Sequence, residues 1–431
     1  MLPSSEVMEW ESGLFGSQPV WKVEPPIDIV TNLMRAKIQD ASRHAKPAKE
    51  CESTATYFAG GAFNKLYHMD CNGNSWILRV TLPVDPYHKT ASEVATTKLI
   101  RSFTSLPVPD IVAHYAGTAG APPGDSCLGL EWILMNKLPG EPLRDVWTEI
   151  NLEKKILFVE SLADKLHELY SCEAARFPSI GNIYQTDRVE GGASFGSSTY
   201  TVGRIVSMPF FWNQRLSQPI KRGPFSSSAE WFTSRLQLVE HECTQVLNSD
   251  TADSDDKEDA ERFKYLSQRL SKHIPSLLPA REIFVLQHDD LNTGNLLVDP
   301  ASGALTGILD WECVSVLPNW KSCQLPLFLM NERARETKPS LEAYEKDTDG
   351  SPSQLYFEHL REWEVTVLRR CFLGRMEKHS SDWIEIYESS EQFRDFESAV
   401  QNCDNELMVK RIEKWIGRIE SGEGYERLLD C

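Results

Sequence analysis

One stretch, residues 284–312, limits what this chain can fold into more than any other. It reads Phe284-Val-Leu-Gln-His288-Asp-Asp290-Leu-Asn-Thr-Gly-Asn295-Leu-Leu-Val-Asp299, then Leu305-Thr-Gly-Ile-Leu-Asp310-Trp-Glu312. The apolar runs at 296–298 and 305–309 predict two short strands. A loop followed by a hairpin would then bring Asp290, Asn295 and Asp310 together. Phosphoryl transfer asks for such a set, because it rests on positioning and charge neutralisation: a carboxylate beside the attacking hydroxyl, and oxygen ligands for magnesium. Asp290 is the candidate for the first role, Asn295 and Asp310 for the second. Asp and Asn also favour turns on their own account. Three residues of the right type at this spacing, set between strand-forming runs, outweigh that simpler explanation.

Upstream, runs at 57–64, 65–69 and 75–80 flank an Asn72-Gly73-Asn74 turn and predict a β-meander. Thr90-Ala-Ser-Glu93 has the form of a capping box ahead of Val94, Ala95, Leu99 and Ile100 at helical spacing, so a helix is expected to start near Thr90. Runs at 111–113 and 128–138 add two strands to this small sheet. Pro139-Gly140-Glu141-Pro142 breaks the chain, and helical periodicity follows at 153–170, 355–376 and 405–419. The fold class expected is therefore α+β and bilobal. Residues 1–56 read as an N-terminal extension, 57–138 as a small antiparallel lobe that binds nucleotide, and 139–431 as a larger, mainly helical lobe. The acidic stretch 250–261 reads as an exposed loop. The long segment 191–280 reads as a lid over the acceptor or as an insertion.

Charge narrows the partners. With 63 Asp and Glu against 45 Lys and Arg, a formal net charge of -18, the surface repels phosphate backbones and acidic membranes, so neither nucleic acid nor a membrane is an expected partner. No stretch reaches transmembrane length, and the first residues lack a signal-peptide pattern, so a soluble, cytoplasmic protein is expected. The ten cysteines are dispersed, with no C-x-x-C pair, and read as free thiols in a reducing compartment rather than as a zinc site. Nothing in the sequence sets the oligomeric state.

The run H-D-D-L-N-T-G-N-L-L-V-D with G-I-L-D-W-E resembles the signature of the aminoglycoside phosphotransferase and choline kinase-like superfamily, its fungal members in particular. The likeness extends through Gly60-Gly-Ala-Phe-Asn64, Ile77-Leu-Arg-Val80, Glu93, Pro107-Val-Pro109 and Leu138-Pro-Gly-Glu-Pro-Leu143, and covers roughly residues 57–325. It implies a protein-kinase-like fold and an ATP- and magnesium-dependent enzyme that phosphorylates a hydroxyl of a small molecule. The Gly60-Gly61 turn would lie over the phosphates, Arg79 would bind them and Glu93 would hold Arg79. Backbone near Met135 to Lys137 would bind adenine. Two features depart from the kinase pattern: the glycine turn is abbreviated, and position 79 is Arg rather than Lys. Arg keeps its charge and offers phosphate a two-pronged contact.

The other candidates have structural readings. Glu93 either completes the capping box or pairs with Arg79. His288 is expected to brace the loop rather than to move protons. Asp289 reads as a solvated neighbour and Asp299 as a turn acid. Glu312 is left between a second metal-side acid and an exposed residue. Phe210, Phe211, Trp212 and the aromatic residues near Trp320 read as core, with a place in the acceptor pocket as the alternative. Two rival functions remain: an inactive kinase-like nucleotide-binding scaffold, and a kinase-fold enzyme with other chemistry on a secondary metabolite.

Overall fold

The structure is a computed structural model that describes residues 4–13, 16–42, 51–117, 127–186, 193–195, 198–279, 281–330, 332–346 and 350–431. The chain first forms a hairpin, β1 (Met8–Gly13) and β2 (Gly16–Trp21), and a helix, α1 (Ile27–Ser42). A five-stranded antiparallel sheet follows in the order β3-β4-β5-β7-β6, built from β3 (Thr56–Gly60), β4 (Asn64–Cys71), β5 (Asn74–Thr81), β6 (Ile111–Tyr115) and β7 (Glu131–Asn136). Asn72 and Gly73 take φ of 54° and 78° and close the β4–β5 hairpin, the conformation that an Asn-Gly pair adopts at little steric cost. Along β4 the buried side chains Tyr67, Met69 and Cys71 recur with period two and face Val30 and Met34 of α1 in a shared core. Residues near the start of the chain are therefore part of what holds the sheet.

The helix between β5 and β6, α2 (His88–Phe103), starts two residues before Thr90, and the expected capping box does not form. Its N-cap is Tyr87 at φ 67°, with no side-chain cap, because Glu93 is turned inward to Arg79. The cysteine expectation is also corrected. Cys51 and Cys71 are bonded as a disulfide, with Cα atoms 5.6 Å apart, while the other cysteines are free. The chain ahead of β3 folds back beside the end of β4, a long-range pairing that dispersed spacing does not reveal.

Beyond Pro139 come β8 (Glu141–Pro142), α3 (Leu152–Ser171), β9 (Arg176–Phe177), β10 (Ile183–Thr186), β11 (Ala193–Phe195) and β12 (Ser198–Val202). Then follow α4 (Ser228–Leu247), α5 (Ser254–Leu277), β13 (Phe284–Gln287), β14 (Leu296–Val298), β15 (Leu305–Ile308) and β16 (Ser315–Pro318). The chain closes with α6 (Gln354–His379), α7 (Ser381–Ser389), α8 (Glu391–Gln401) and α9 (Glu406–Glu420). Three small sheets, β15-β14-β8, β16-β13-β9 and β10-β12-β11, are set among these helices. The result is the mixed α+β architecture expected, with a small antiparallel sheet first and helices after it. Among the described residues no helix is long and apolar enough to cross a membrane.

One expectation for residues 191–280 fails. The acidic stretch is no loop: residues 254–261 are the first turns of α5, where the Asp253 carboxylate accepts from the Asp256 amide at 2.9 Å and Asp255 and Asp256 complement the helix N-terminus. Within the segment, α4 and α5 lie in the larger core, together with Trp231, Phe232, Leu266 and Leu270. Phe210 and Phe211 fasten the two cores to each other: Phe210 sits in the helical core, whereas Phe211 sits in the sheet core, 5.6 Å edge-on from Phe63.

Candidate active site

Strand β13 is buried along its whole length and delivers the chain into the loop at His288, which is 5% exposed. Its Nε2 lies 2.8 Å from the Leu309 carbonyl oxygen, so that nitrogen carries the proton and donates. The Leu309 amide in turn donates to the Asn295 carbonyl at 2.8 Å. These two bonds lock the loop to the end of β15, and His288 has the bracing position expected of it.

Within the loop, Asn295 Nδ2 donates to the Asp290 carbonyl at 2.9 Å and to Asp290 Oδ2 at 3.0 Å, while Asn292 Nδ2 donates to Asp290 Oδ1 at 2.9 Å. Both oxygens of Asp290 are thus aimed, though the residue is exposed to solvent. Asp310 stands at the end of β15 with φ 64°, a conformation uncommon for a residue with a side chain and maintained by its surroundings.

A buried charge cluster meets Asp310 from the sheet side. Arg79 on β5 donates through Nη1 to Glu93 Oε1 and through Nη2 to Asp310 Oδ1 at 2.5 Å, and Nη2 lies 3.0 Å from Glu312 Oε2. Lys89 on α2, 1% exposed, pairs with the same Glu312 oxygen and reaches Asn64 Oδ1 at 3.3 Å. Asn64 Nδ2 donates to Glu312 Oε2 at 2.8 Å. Three carboxylates therefore face two cations. Burial, reinforced by the Glu312 and Asp310 charges, pushes the Glu93 carboxyl up to about 7 against the pull of Arg79. For Glu312, burial also acts upward, but Lys89 and Arg79 outweigh it and hold the carboxyl at about 2. Glu93 Oε2 and Arg79 Nε are buried with no partner, so the cluster has unspent hydrogen-bonding capacity.

The glycine turn lies at the end of β3 and is exposed. The Gly61 amide donates to the Asn64 carbonyl at 2.9 Å; a Cβ added at Gly61 would meet no atom within 4 Å, whereas one added at Gly60 would run into the Tyr57 hydroxyl. Met135 and Lys137 fit less simply. Met135 is paired on both sides, with Ile77 and Ile111, and the Lys137 amide is committed to the Ser75 carbonyl at 2.8 Å. The Lys137 ammonium lies 5.1 Å from the centre of the Phe58 ring.

For magnesium the donor chemistry is suitable. With its amide nitrogen spent on Asp290, Asn295 has no hydrogen bond to its Oδ1 among the described residues, and neither has Asp310 to its Oδ2. Both are hard oxygens, the kind magnesium takes alongside water and phosphate. Among the described residues no three His, Cys, Asp or Glu converge on a metal-sized site, so the chain offers part of a shell rather than a cage.

Lys89 and Asn64 escape the sequence reading, and Glu312 is not the exposed residue of its two readings: its side chain is 11% exposed and tied to Lys89, Arg79 and Asn64. One signal was available, since Lys89 and Glu93 are four apart and share a face of α2.

On the helical side of the loop, a small pocket is lined by α3, α6, α7, residues 322–327 and the loop residues His288, Asp289 and Leu291. It takes in both neighbours of Asp290.

Residues 54–318 match the sequence model described as the phosphotransferase enzyme family. A subtelomeric hrmA-associated cluster protein of Aspergillus fumigatus is 25% identical over 331 residues, 68% of this chain and 63% of that protein. Clavilactone A biosynthesis cluster protein Y of Ampulloclitocybe clavipes is 24% identical over 248 residues, 56% and 53% of the respective chains. The chain spans between about half and two thirds of the length of these curated relatives. Among solved structures, an ADP-bound aminoglycoside phosphotransferase superposes with a TM-score of 0.45 at 13% identity, over 88% of this chain and 96% of the other.

Proposed function

This chain belongs to the phosphotransferase enzyme family, and on that premise we propose that it transfers the γ-phosphoryl group of ATP, with magnesium, to a hydroxyl of a small molecule. The observation that carries this reading is the oriented Asp290 carboxylate, held on both oxygens by Asn292 and Asn295 and joined to Asp310 through the Asn295–Leu309 backbone bond. A general base must be within reach of the proton it removes and must be held in position, and Asp290 is both exposed and fixed.

In the proposed reaction the acceptor oxygen forms a bond to the γ-phosphorus while the bond from that phosphorus to the ADP oxygen breaks. ADP leaves with the electron pair, and the hydroxyl proton passes to an Asp290 oxygen and then to water. Asn295 Oδ1 and Asp310 Oδ2 would hold the metal, which supplies charge neutralisation at the phosphates. Arg79, anchored by Glu93, would contact the phosphates beneath the Gly60-Gly61 turn. The adenine would take its contacts from backbone after Met135; of the amides there, that of Lys137 is already used and that of Leu138 makes no hydrogen bond among the described residues. One relative is named for a biosynthesis cluster, which suits a small-molecule acceptor.

Titration calorimetry of ATP with magnesium into the wild type, Asp310→Ala and Asp290→Ala, paired with an ADP-release assay, tests the reading. Binding that needs magnesium and fails in Asp310→Ala, with Asp290→Ala binding normally but turning over at the background rate, supports it. A wild type that binds neither nucleotide nor metal would falsify it.

A further inference from the structure

We infer that Lys89 is a positioning residue of the phosphate site: by neutralising Glu312 it leaves Arg79 available to the nucleotide. This rests on the phosphotransferase reading and adds to it a residue that acts through two others. Three donors converge on one oxygen, Glu312 Oε2: the Lys89 ammonium, Asn64 Nδ2 at 2.8 Å and Arg79 Nη2 at 3.0 Å. Asn64 is uncharged, so Lys89 and Arg79 are the cations on which this carboxylate can draw. Arg79 is also claimed by Glu93 and by Asp310. Lys89 has no such competing claim, since Glu312 is its one ion-pair partner among the described residues. Two further acids near it are engaged elsewhere: both Asp85 oxygens accept from Arg204 at 2.6 Å, and Glu131 accepts from the Tyr87 amide. One face of α2 therefore sends an acid, Glu93, to Arg79 and a cation, Lys89, to the carboxylate that competes for Arg79.

A buried ion pair is a poor device for stability alone, because apolar side chains of the same volume would avoid its desolvation. Its value here is in what it permits. With Lys89 in place, Arg79 can turn to the phosphates while Glu312 keeps a cation and the Asn64 amide. Without Lys89, one guanidinium would face three carboxylates, and its departure would leave Glu312 buried with an amide alone. The phosphates would then compete with Glu312 for Arg79. Asn64 is fixed for its part by a second contact: the Thr81 hydroxyl donates to Asn64 Oδ1 at 3.0 Å, which turns the amide nitrogen toward Glu312. That amide holds the carboxylate in place without neutralising it, so the charge compensation falls to Lys89.

The test titrates the full chain, Lys89→Met and the double variant Lys89→Met/Glu312→Gln with ATP in excess magnesium, and separately with adenosine, which carries no phosphate. Methionine keeps the length of the lysine stem, and glutamine keeps an oxygen for Asn64. Lys89→Met should weaken ATP about tenfold, the worth of a charge-assisted contact withheld from the phosphates, and leave adenosine unchanged. The double variant should return to about the wild-type affinity for ATP, because a neutral residue at 312 no longer competes for Arg79. Equal loss of ATP and adenosine, or a double variant that binds ATP no better than Lys89→Met, assigns the effect to packing and overturns the inference. Lys89→Gln, which removes the charge but keeps a donor to Glu312, carries the same test should Lys89→Met not fold. The wild-type titration reads the parent hypothesis separately. A wild type that does not bind ATP with magnesium overturns the phosphotransferase reading and this role with it, whereas equal ATP affinity in wild type and Lys89→Met overturns the positioning role alone.

Discussion

The carboxylates of Glu397 and Glu93 are both screened from water and both touched by arginine, yet they are displaced in opposite directions. On α8, Glu397 Oε1 accepts from Arg235 at 2.7 Å and Oε2 lies 3.3 Å from Lys321. Arg235 also donates to Gln401 and rests over the Trp231 ring at 4.9 Å. Burial acts upward on Glu397, but two cations on one acid outweigh it and hold the carboxyl at about 2. Around Glu93 the ratio is reversed, with three acids on two cations, and the carboxyl is pushed up to about 7. One cluster is internally satisfied and belongs to the framework joining α4, α8 and residues 319–322. The other retains a surplus of negative charge and unpartnered atoms, the condition of a site that expects a cationic or hydrogen-bonding guest.

The largest expected effect lies at Asp290, which belongs to neither cluster and sets the scale for both. Asp290→Asn should lower turnover about 10²- to 10⁴-fold, the usual worth of a general base, and leave the thermal midpoint and the affinity for ATP with magnesium nearly unchanged. Next in size is Glu397→Ala, which strands Arg235 and Lys321 and should cost about 3 kcal/mol in urea unfolding, with activity per folded molecule retained. The same residue sets an acid limb. Its folded-state pKa lies below the ordinary 4.5, so its contribution is complete above that value and is lost as pH falls towards about 2. In Glu397→Gln that part of the decline, about 3 kcal/mol, should be missing.

Smaller is the effect of Glu93→Gln. Neutralising one acid of a surplus should change stability by less than about 1 kcal/mol, while kcat/KM for ATP falls about tenfold as Arg79 loses its anchor. A stability loss like that of Glu397→Ala would erase the distinction between the clusters. Smallest is the surface pair Arg262–Glu413, in which both side chains are about one third exposed. A double-mutant cycle there should give a coupling under about 1 kcal/mol, because water and salt screen it.

What sequence reveals here follows the distance between interacting residues. Asp290 and Asn295 are five apart, and Asp310 follows on the next strand, so local pattern exposes all three. Strands and helices with clean periodicity, β4, α3 and α9 among them, read correctly for the same reason. The acidic start of α5 does not, because charged residues on an exposed first turn carry no hydrophobic period, and the cap at Asp253 outweighs mutual repulsion. Lys89 and Glu312 are separated by 223 residues, and nothing local to either predicts the other. The Cys51–Cys71 bond is hidden likewise, since it depends on how the chain ahead of β3 folds back on β4.

The hydrogen bond from Arg79 to Asp310 has a consequence for how the two ligands of the proposed reaction would arrive. Magnesium alone would sit on Asp310 Oδ2 beside a guanidinium still bonded to Oδ1, and nucleotide alone must draw Arg79 from a carboxylate left without that cation. Together they relieve each other: the metal compensates Asp310, and the phosphates receive the arginine. Each ligand then raises the affinity for the other by the same factor, as thermodynamic reciprocity requires. The enzyme would respond to the metal–nucleotide complex as a single signal and stay nearly blind to either component by itself.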